Sequence, residues 1–277
     1  MWKYPTYANL PRRPLLDQGF NLPKYVKHHV EPALASLETI FLDCNLRHST
    51  VYTNVDGGSP KECASFFLRS FLGDLPQLQY LRLNFARDQN WQGESLLKWL
   101  SKPASPTLGV IDHQSELPQS PPPVNFLYLQ QLDIGMVSVT TSSLIAVLQK
   151  FAPSLHTISF HKISLLGNVS TGEVKVSFWD QFFDQLSKVN NLNLTSISLS
   201  HIYHYRGEHH HDVPTITFRN SKYPMAKKWS GPDMQSGLRD FKAEIVVTWP
   251  AERKTPKGKI NLQTISIYIQ HLKAYMA

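Results

Sequence analysis

The residues best equipped for chemistry are histidines. His209, His210 and His211 run together, with His204 and Asp212 close by. Imidazoles bind zinc or nickel. Consecutive side chains of an extended segment point apart, however, and no cysteine lies near, whereas structural zinc sites space their ligands. The stretch from His204 to Asp212 therefore reads as a polar, solvated loop, with metal binding left open. His28 and His29 fall on a predicted helix, where neighbours diverge by about 100°, so they do not converge on an ion. Asp43 and Asp133 fall on one predicted sheet face but on separate strands, with no partner acid. Neither a Gly-rich phosphate loop nor a GxSxG elbow occurs. The expectation is a chain with no catalytic residue, no cofactor and no metal ligand, hence not an enzyme.

Cys44 and Cys63 are the two cysteines, each in apolar surroundings. A small secreted domain would carry more, in pairs, so both are expected to be buried reduced thiols. Met1 to Asn21 lacks the apolar stretch of a signal peptide, and no run of eighteen apolar residues exists. A cytoplasmic or nuclear setting is the expectation. The net charge is +7, and the stretch from Arg219 to Lys259 carries all but one unit of it. Within and beside that stretch Lys227, Lys228, Trp229, Arg253, Lys254 and Lys257 could hold nucleic acid by charge and stacking. That is the alternative to protein binding; a solvated basic loop is the simpler reading.

Whatever such residues do, larger elements must place them. Apolar residues recur at x, x+3 and x+5 in Leu37-Ile40-Leu42, Leu78-Leu81-Leu83, Leu129-Leu132-Ile134, Leu155-Ile158-Phe160 and Leu194-Ile197-Leu199. The spacing alone arises readily by chance; two further features raise it above chance. First, the residues at x+2, x+4 and x+6 are polar almost throughout: Thr39, Phe41, Asp43; Tyr80, Arg82, Asn84; Gln131, Asp133, Gly135; Thr157, Ser159, His161; Ser196, Ser198, Ser200. Side chains of a strand alternate between its faces, so each segment predicts a strand buried on one side and wet on the other. Second, helical spacing of apolar residues precedes these strands: Tyr25 to Leu34 (with Pro32 as a flaw), Pro60 to Leu72, Ser142 to Phe151 and Trp179 to Val189. A helix crossing between consecutive strands makes them parallel. Trp99 and Trp179 fall on helices and are expected in the core.

The fold class expected is α/β: an irregular leucine-rich-repeat solenoid with parallel strands on the concave side and helices on the convex side. The five starting leucines stand 41, 51, 26 and 39 residues apart, and only the third interval has a standard repeat length; the others require insertions. Residues 1–34 form an N-terminal extension or cap, 35–202 the solenoid with a Pro-rich loop at 101–125, and 203–277 a basic capping region. In that last region Val213 to Arg219 predicts a hairpin partner or sheet edge, Met234 to Val246 a helix, and Ile260 to Leu272 a closing strand.

The segment Leu144-Ile145-Ala146-Val147-Leu148, followed by Phe151-Ala152-Pro153-Ser154-Leu155-His156-Thr157-Ile158-Ser159-Phe160, resembles the leucine-rich C-terminal region of fungal F-box-like proteins. Pro76 to Leu83 fits the same style, and Trp229 to Met234 with Gly237-Leu238 is similar to the closing part of those chains. The resemblance covers roughly 34 to 247. It implies a substrate-recognition arm of a ubiquitin-ligase adaptor. An F-box itself is not seen in 1–34, which five prolines interrupt, so a Skp1-type adaptor is expected as partner only if an F-box lies upstream. The favoured function is non-catalytic binding of a protein through Thr39, Phe41, Asp43, Tyr80, Arg82, Asn84, Gln131, Asp133, Thr157, Ser159, His161, Ser196 and Ser198 on the concave strand face, with no membrane involvement.

Overall fold

Alternation in the five segments becomes a sheet. The computed structural model describes residues 15–46, 51–53, 61–63, 65–85, 91–104, 118, 120–167, 177–205 and 214–249. In chain order the elements are β1 (Leu15–Leu16), a 3-10 turn (Asp17–Phe20), α1 (Lys24–Ala35), β2 (Thr39–Asn45), β3 (Val51–Thr53), β4 (Lys61–Cys63), α2 (Phe66–Gly73), β5 (Tyr80–Phe85) and α3 (Trp91–Ser101). They continue with β6 (Gln131–Gly135), β7 (Ser138–Thr140), α4 (Thr141–Phe151), β8 (Thr157–His161), β9 (Ser164–Leu166), α5 (Phe178–Leu186) and β10 (Ser196–Ser200). The last are β11 (Tyr203–Tyr205), β12 (Thr215–Phe218), β13 (Ala226–Ser230), α6 (Met234–Glu244) and β14 (Ile245–Thr248).

One seven-stranded sheet runs in the order β1-β2-β5-β6-β8-β10-β13. All its pairings are parallel except the last, β10 with β13. The segments starting at Leu37, Leu78, Leu129, Leu155 and Leu194 thus lie side by side, in strict register: Ile40, Leu81, Leu132, Ile158 and Ile197 form one row across the strands, and Leu42, Leu83, Ile134, Phe160 and Leu199 the next. From Leu81 to Leu199 every residue of these rows is at most 1 % exposed. They join Leu97, Leu144, Leu148, Trp179 and Phe182 of the helices in a single core. A fully buried side chain of this kind contributes roughly 1.5–3 kcal/mol, so the rows hold sheet and helices together. The architecture is mixed α/β with parallel strands and six helices and, among the described residues, no closed barrel.

Backbone hydrogen bonding repeats with the side chains. The carbonyl of Glu38 accepts from the N–H groups of Gln79 and Tyr80; that of Gln79 from Gln130 and Gln131; that of Gln130 from His156 and Thr157; that of His156 from Thr195 and Ser196. At the other end of the strands three corners repeat. Met136, Lys162 and His201 take left-handed φ values of 58°, 54° and 51°. Two residues after each of them begins β7, β9 or β11. These strands run parallel to one another in a five-stranded sheet of order β14-β12-β11-β9-β7. The N–H of Met136 donates to the His161 carbonyl and that of Lys162 to the Ser200 carbonyl, so each corner rests on its neighbour.

The start of the described chain is fastened by a buried carboxylate. α2 has no side-chain cap of its own, because Ser65, at φ 62°, gives none. Asp17, fully buried, supplies it: its oxygens accept from the N–H of Phe67 at 3.3 Å and of Leu68 at 2.9 Å. An anion at a helix N-terminus satisfies orphan donors and suits the helix dipole. Phe20 packs on Phe71 at 5.4 Å, and β1 adds to β2.

Several expectations are corrected. The helix expected from Pro60 begins only at Phe66: Lys61–Cys63 pairs antiparallel with Val51–Thr53, and the left-handed Ser65 separates strand from helix. β12 is the hairpin partner of β11, with which it pairs antiparallel, and not a sheet edge, because β14 lies on its other side. The helix near the end stops at Glu244, and Ile245 to Val246 belong to β14. The end of the Pro-rich loop is packed: Pro121 accepts a hydrogen bond from the Trp99 indole at 2.9 Å, and Val124 and Phe126 are buried. The Lys150 ammonium donates to the carbonyls of Leu100, Lys102 and Val124, which ties both ends of the loop to α4. Cys44 and Cys63 are both buried, as expected, and burial with Asp43 and Asp17 pushes the Cys44 thiol up to about 12. The strand expected over Ile260 to Leu272 lies outside the described residues. Among the described residues no helix is long and apolar enough to cross a membrane.

Two substitutions test these restraints. Left-handed backbone costs a non-glycine residue on the order of 1 kcal/mol, and Lys162 is exposed with its side chain free to leave. Lys162→Gly should raise stability by about 0.5–1 kcal/mol in urea unfolding, whereas an unchanged or lower midpoint would mean the corner is unstrained. Asp17→Asn loses one acceptor and the charge; it should lower stability by about 1–3 kcal/mol, read from the same midpoint.

Candidate functional site

The residues between the buried rows form the opposite, uncovered face. Their register gives three lateral rows: Thr39, Tyr80, Gln131, Thr157, Ser196, Ser230; then Phe41, Arg82, Asp133, Ser159, Ser198, Lys228; then Asp43, Asn84, Gly135, His161, Ser200, Ala226. All thirteen residues proposed for protein contact therefore share one surface. They are not spread evenly on it. Large side chains gather on β2, β5 and β6, and, apart from His161, small hydroxyl residues cover β8 and β10.

Phe41 is 58 % exposed, and its ring meets Tyr80 edge to face at 4.7 Å. The Tyr80 hydroxyl donates to Asp133 Oδ2 at 2.5 Å, while Gln131 Nε2 donates to Asp133 Oδ1 at 3.2 Å. Partial burial, that hydrogen bond and the Asp133 charge push the Tyr80 phenol up to about 12. Asn84 Nδ2 donates to Asp43 Oδ1 at 3.0 Å. Asn84 lies over Gly135, where a Cβ would stand 2.4 Å from its amide oxygen; a larger residue there would displace Asn84. His161 Nδ1 shares a hydrogen bond with Ser200 Oγ at 2.8 Å. Burial, together with Lys162, His201 and Arg82, pushes its imidazole pKa down, which favours the neutral ring. Arg82 is exposed and, among the described residues, has no hydrogen-bond or ion-pair partner. Beside it, Asn84, Asp133, Ser159, His161 and Ser200 border a polar depression of about 240 Å³.

The other candidate residues are placed differently. Lys227 is ion-paired with Glu244 at 2.6 Å and lies over the Phe241 ring. Trp229 packs against α6, where Gly237 leaves room for its ring. Both are half-buried in these contacts; Lys228 alone of that group is exposed, on the sheet face, and Arg253, Lys254 and Lys257 lie outside the described residues. His204 is not in a loop. It sits on β11, fully buried beside Phe178 and Trp249, in the place that Val139 and Leu165 take in β7 and β9. His209 to Asp212 lie outside the described residues, among which no group of three or more histidine, cysteine, aspartate or glutamate side chains could hold a metal ion.

The second strand layer and its corners were missed by reading the sequence. A signal was present: Val137 and Val139, Ile163 and Leu165, and Ile202 continue the apolar spacing at x+8 and x+10, and all are buried. No protein-family model matches the chain, and no curated protein matches it either.

The Tyr80–Asp133 contact yields a direct test. Asp133→Asn removes the charge that holds the phenol proton, so Tyr80 should ionise closer to the ordinary tyrosine value near 10. Difference absorbance between the variant and its Tyr80→Phe counterpart isolates that one phenol; an ionisation still near 12 would show that burial alone sets it.

Proposed function

We propose that this chain is a non-catalytic protein-binding module, an irregular leucine-rich-repeat solenoid whose uncovered sheet face docks a partner. Strand order that follows chain order, carbonyls shared from one strand to the next, and corners that repeat three times support the solenoid reading. Each unit then rests only on its neighbours. The same parallel, helix-connected layout is common to other α/β sheets, Rossmann-like ones included; those reverse strand order at a switch point, and this sheet does not. Residues 1–34 would act as an N-terminal cap through Asp17 and β1, and 203–277 as a C-terminal cap through β13.

The observation that carries the binding reading is the exposed Phe41, set against a half-buried Tyr80, beside an unpaired Arg82. An aromatic largely open to water is costly to leave uncovered, and tyrosine and arginine dominate interface energies. Small hydroxyl side chains on β8 and β10 leave room for a partner's bulk. The reading extends to a substrate-recognition module related to F-box and leucine-rich-repeat ubiquitin-ligase adaptors, acting in cytoplasm or nucleus, where Cys44 and Cys63 stay reduced.

Affinity capture from cell extract with the wild-type chain supplies a partner. Tyr80→Ala combined with Arg82→Ala should reduce its capture at least tenfold while the thermal midpoint stays within a few degrees. An equal loss from a folded Arg239→Ala variant on α6, or full capture by the double variant, would overturn the assignment of the face. Recovery of a Skp1-type adaptor alongside would support the ligase relationship.

A further inference from the structure

The polar depression lies where β5, β6, β8 and β10 end, on the uncovered face. Its one fixed positive charge is Arg82. The nearest acid in the register is Asp133, its lateral partner on β6. A carboxylate so placed would ordinarily pair with the guanidinium, but Asp133 is turned toward the first row, held by Tyr80 and Gln131. The second acid of the face, Asp43, accepts from Asn84. The two acids are thus occupied and the guanidinium is left with its planar fork of donors free. Around it stand the hydroxyls of Ser159 and Ser200 and the imidazole of His161.

We propose that this depression seats the carboxylate of an acidic side chain from an extended partner segment, gripped bidentately by Arg82, with an apolar partner residue on the Phe41–Tyr80 shelf. The proposal rests on the reading of this face as the docking surface and names what docks. A guanidinium fork matches a carboxylate in two parallel hydrogen bonds. Strands stand about 4.8 Å apart and like-facing residues of an extended segment about 7 Å apart. An acidic residue over β5 and β6 therefore places an apolar residue two positions along near β2, where Phe41 is. A phosphate would carry a second charge into a site with one fixed cation and with Asp43 and Asp133 close by, and sites for phosphorylated segments gather several arginines. A single negative charge is the better match.

The probe is a blocked pentapeptide of alanines carrying one glutamate and, two places on, a leucine. It is titrated into the 15N-labelled full chain while the Arg82 Nε–H and the amides of Ser159 and His161 are followed by NMR. Saturable shifts at millimolar peptide are expected, at least fivefold weaker with glutamine in place of glutamate and lost in Arg82→Gln. If Arg82→Gln does not fold, Arg82→Lys, which keeps charge without the fork, should weaken binding at least threefold. No saturable shift, equal shifts with the glutamine peptide, undiminished binding in the Arg82 variants, or tighter binding of a phosphoserine peptide would each overturn the proposal. Partner capture tests the face and the small probe tests the depression, so failure of the probe while the Tyr80/Arg82 double variant still loses its partner removes the carboxylate and leaves the docking surface standing.

Discussion

Everything else in this molecule depends on strands held in parallel register. A period of two along each strand sends alternate side chains to opposite sides, and a one-residue slip would exchange oil for water on a whole strand. Five consecutive strands keep step because the carbonyl just before each strand accepts from two N–H groups of the next. The buried rows then coincide, from Leu81 to Leu199, and so do the polar rows. The uncovered polar face is the by-product of this registration: side chains distant in sequence become lateral neighbours at strand spacing.

Helix starts in this fold are capped partly from outside. Thr140 and Ser177 cap α4 and α5 locally, accepting from Ser143 and Asp180. α2 depends on Asp17, 51 residues before Leu68. Glu94 on α3 reaches the start of α4, accepting from the N–H and hydroxyl of Thr140 and from Ser143. Burial works against its ionisation, but the bonds from Thr140 and Lys98 outweigh it and hold the carboxyl below its usual range. Helices far apart in sequence are therefore coupled by buried acids as well as by packing, which couples them more tightly than contact between apolar faces alone.

The strands, their wet faces and helices α4 and α5 were legible because they rest on local periodicity. What was not legible depends on choices made in three dimensions. Met136, Lys162 and His201 give no sign of left-handed backbone, since glycine or asparagine would be the usual marker. Strands of three residues, such as β7 and β9, offer only a pair of apolar residues two apart, a signal that shows once it is compared between segments and not within any one of them. Trp229 looked available for stacking until Gly237 was brought beneath it. His204 stands in a polar run, yet the strand it belongs to turns it inward. At the candidate site, the residue types could be read but not their allegiance: that Asp133 turns to Tyr80 and leaves Arg82 free is decided by rotamers across two strands.

Lys150 has a consequence for how the chain accommodates length. Its ammonium, on α4, gathers carbonyls from Leu100, Lys102 and Val124, so the 101–125 excursion leaves and rejoins the body at one point. Ring closure of a long excursion changes by only about 0.6 kcal/mol when its length doubles. With both feet fastened by one side chain, the cost of a longer excursion falls on closure between those feet, which grows slowly with length, and the strand rows that β5 and β6 carry stay tied to α4.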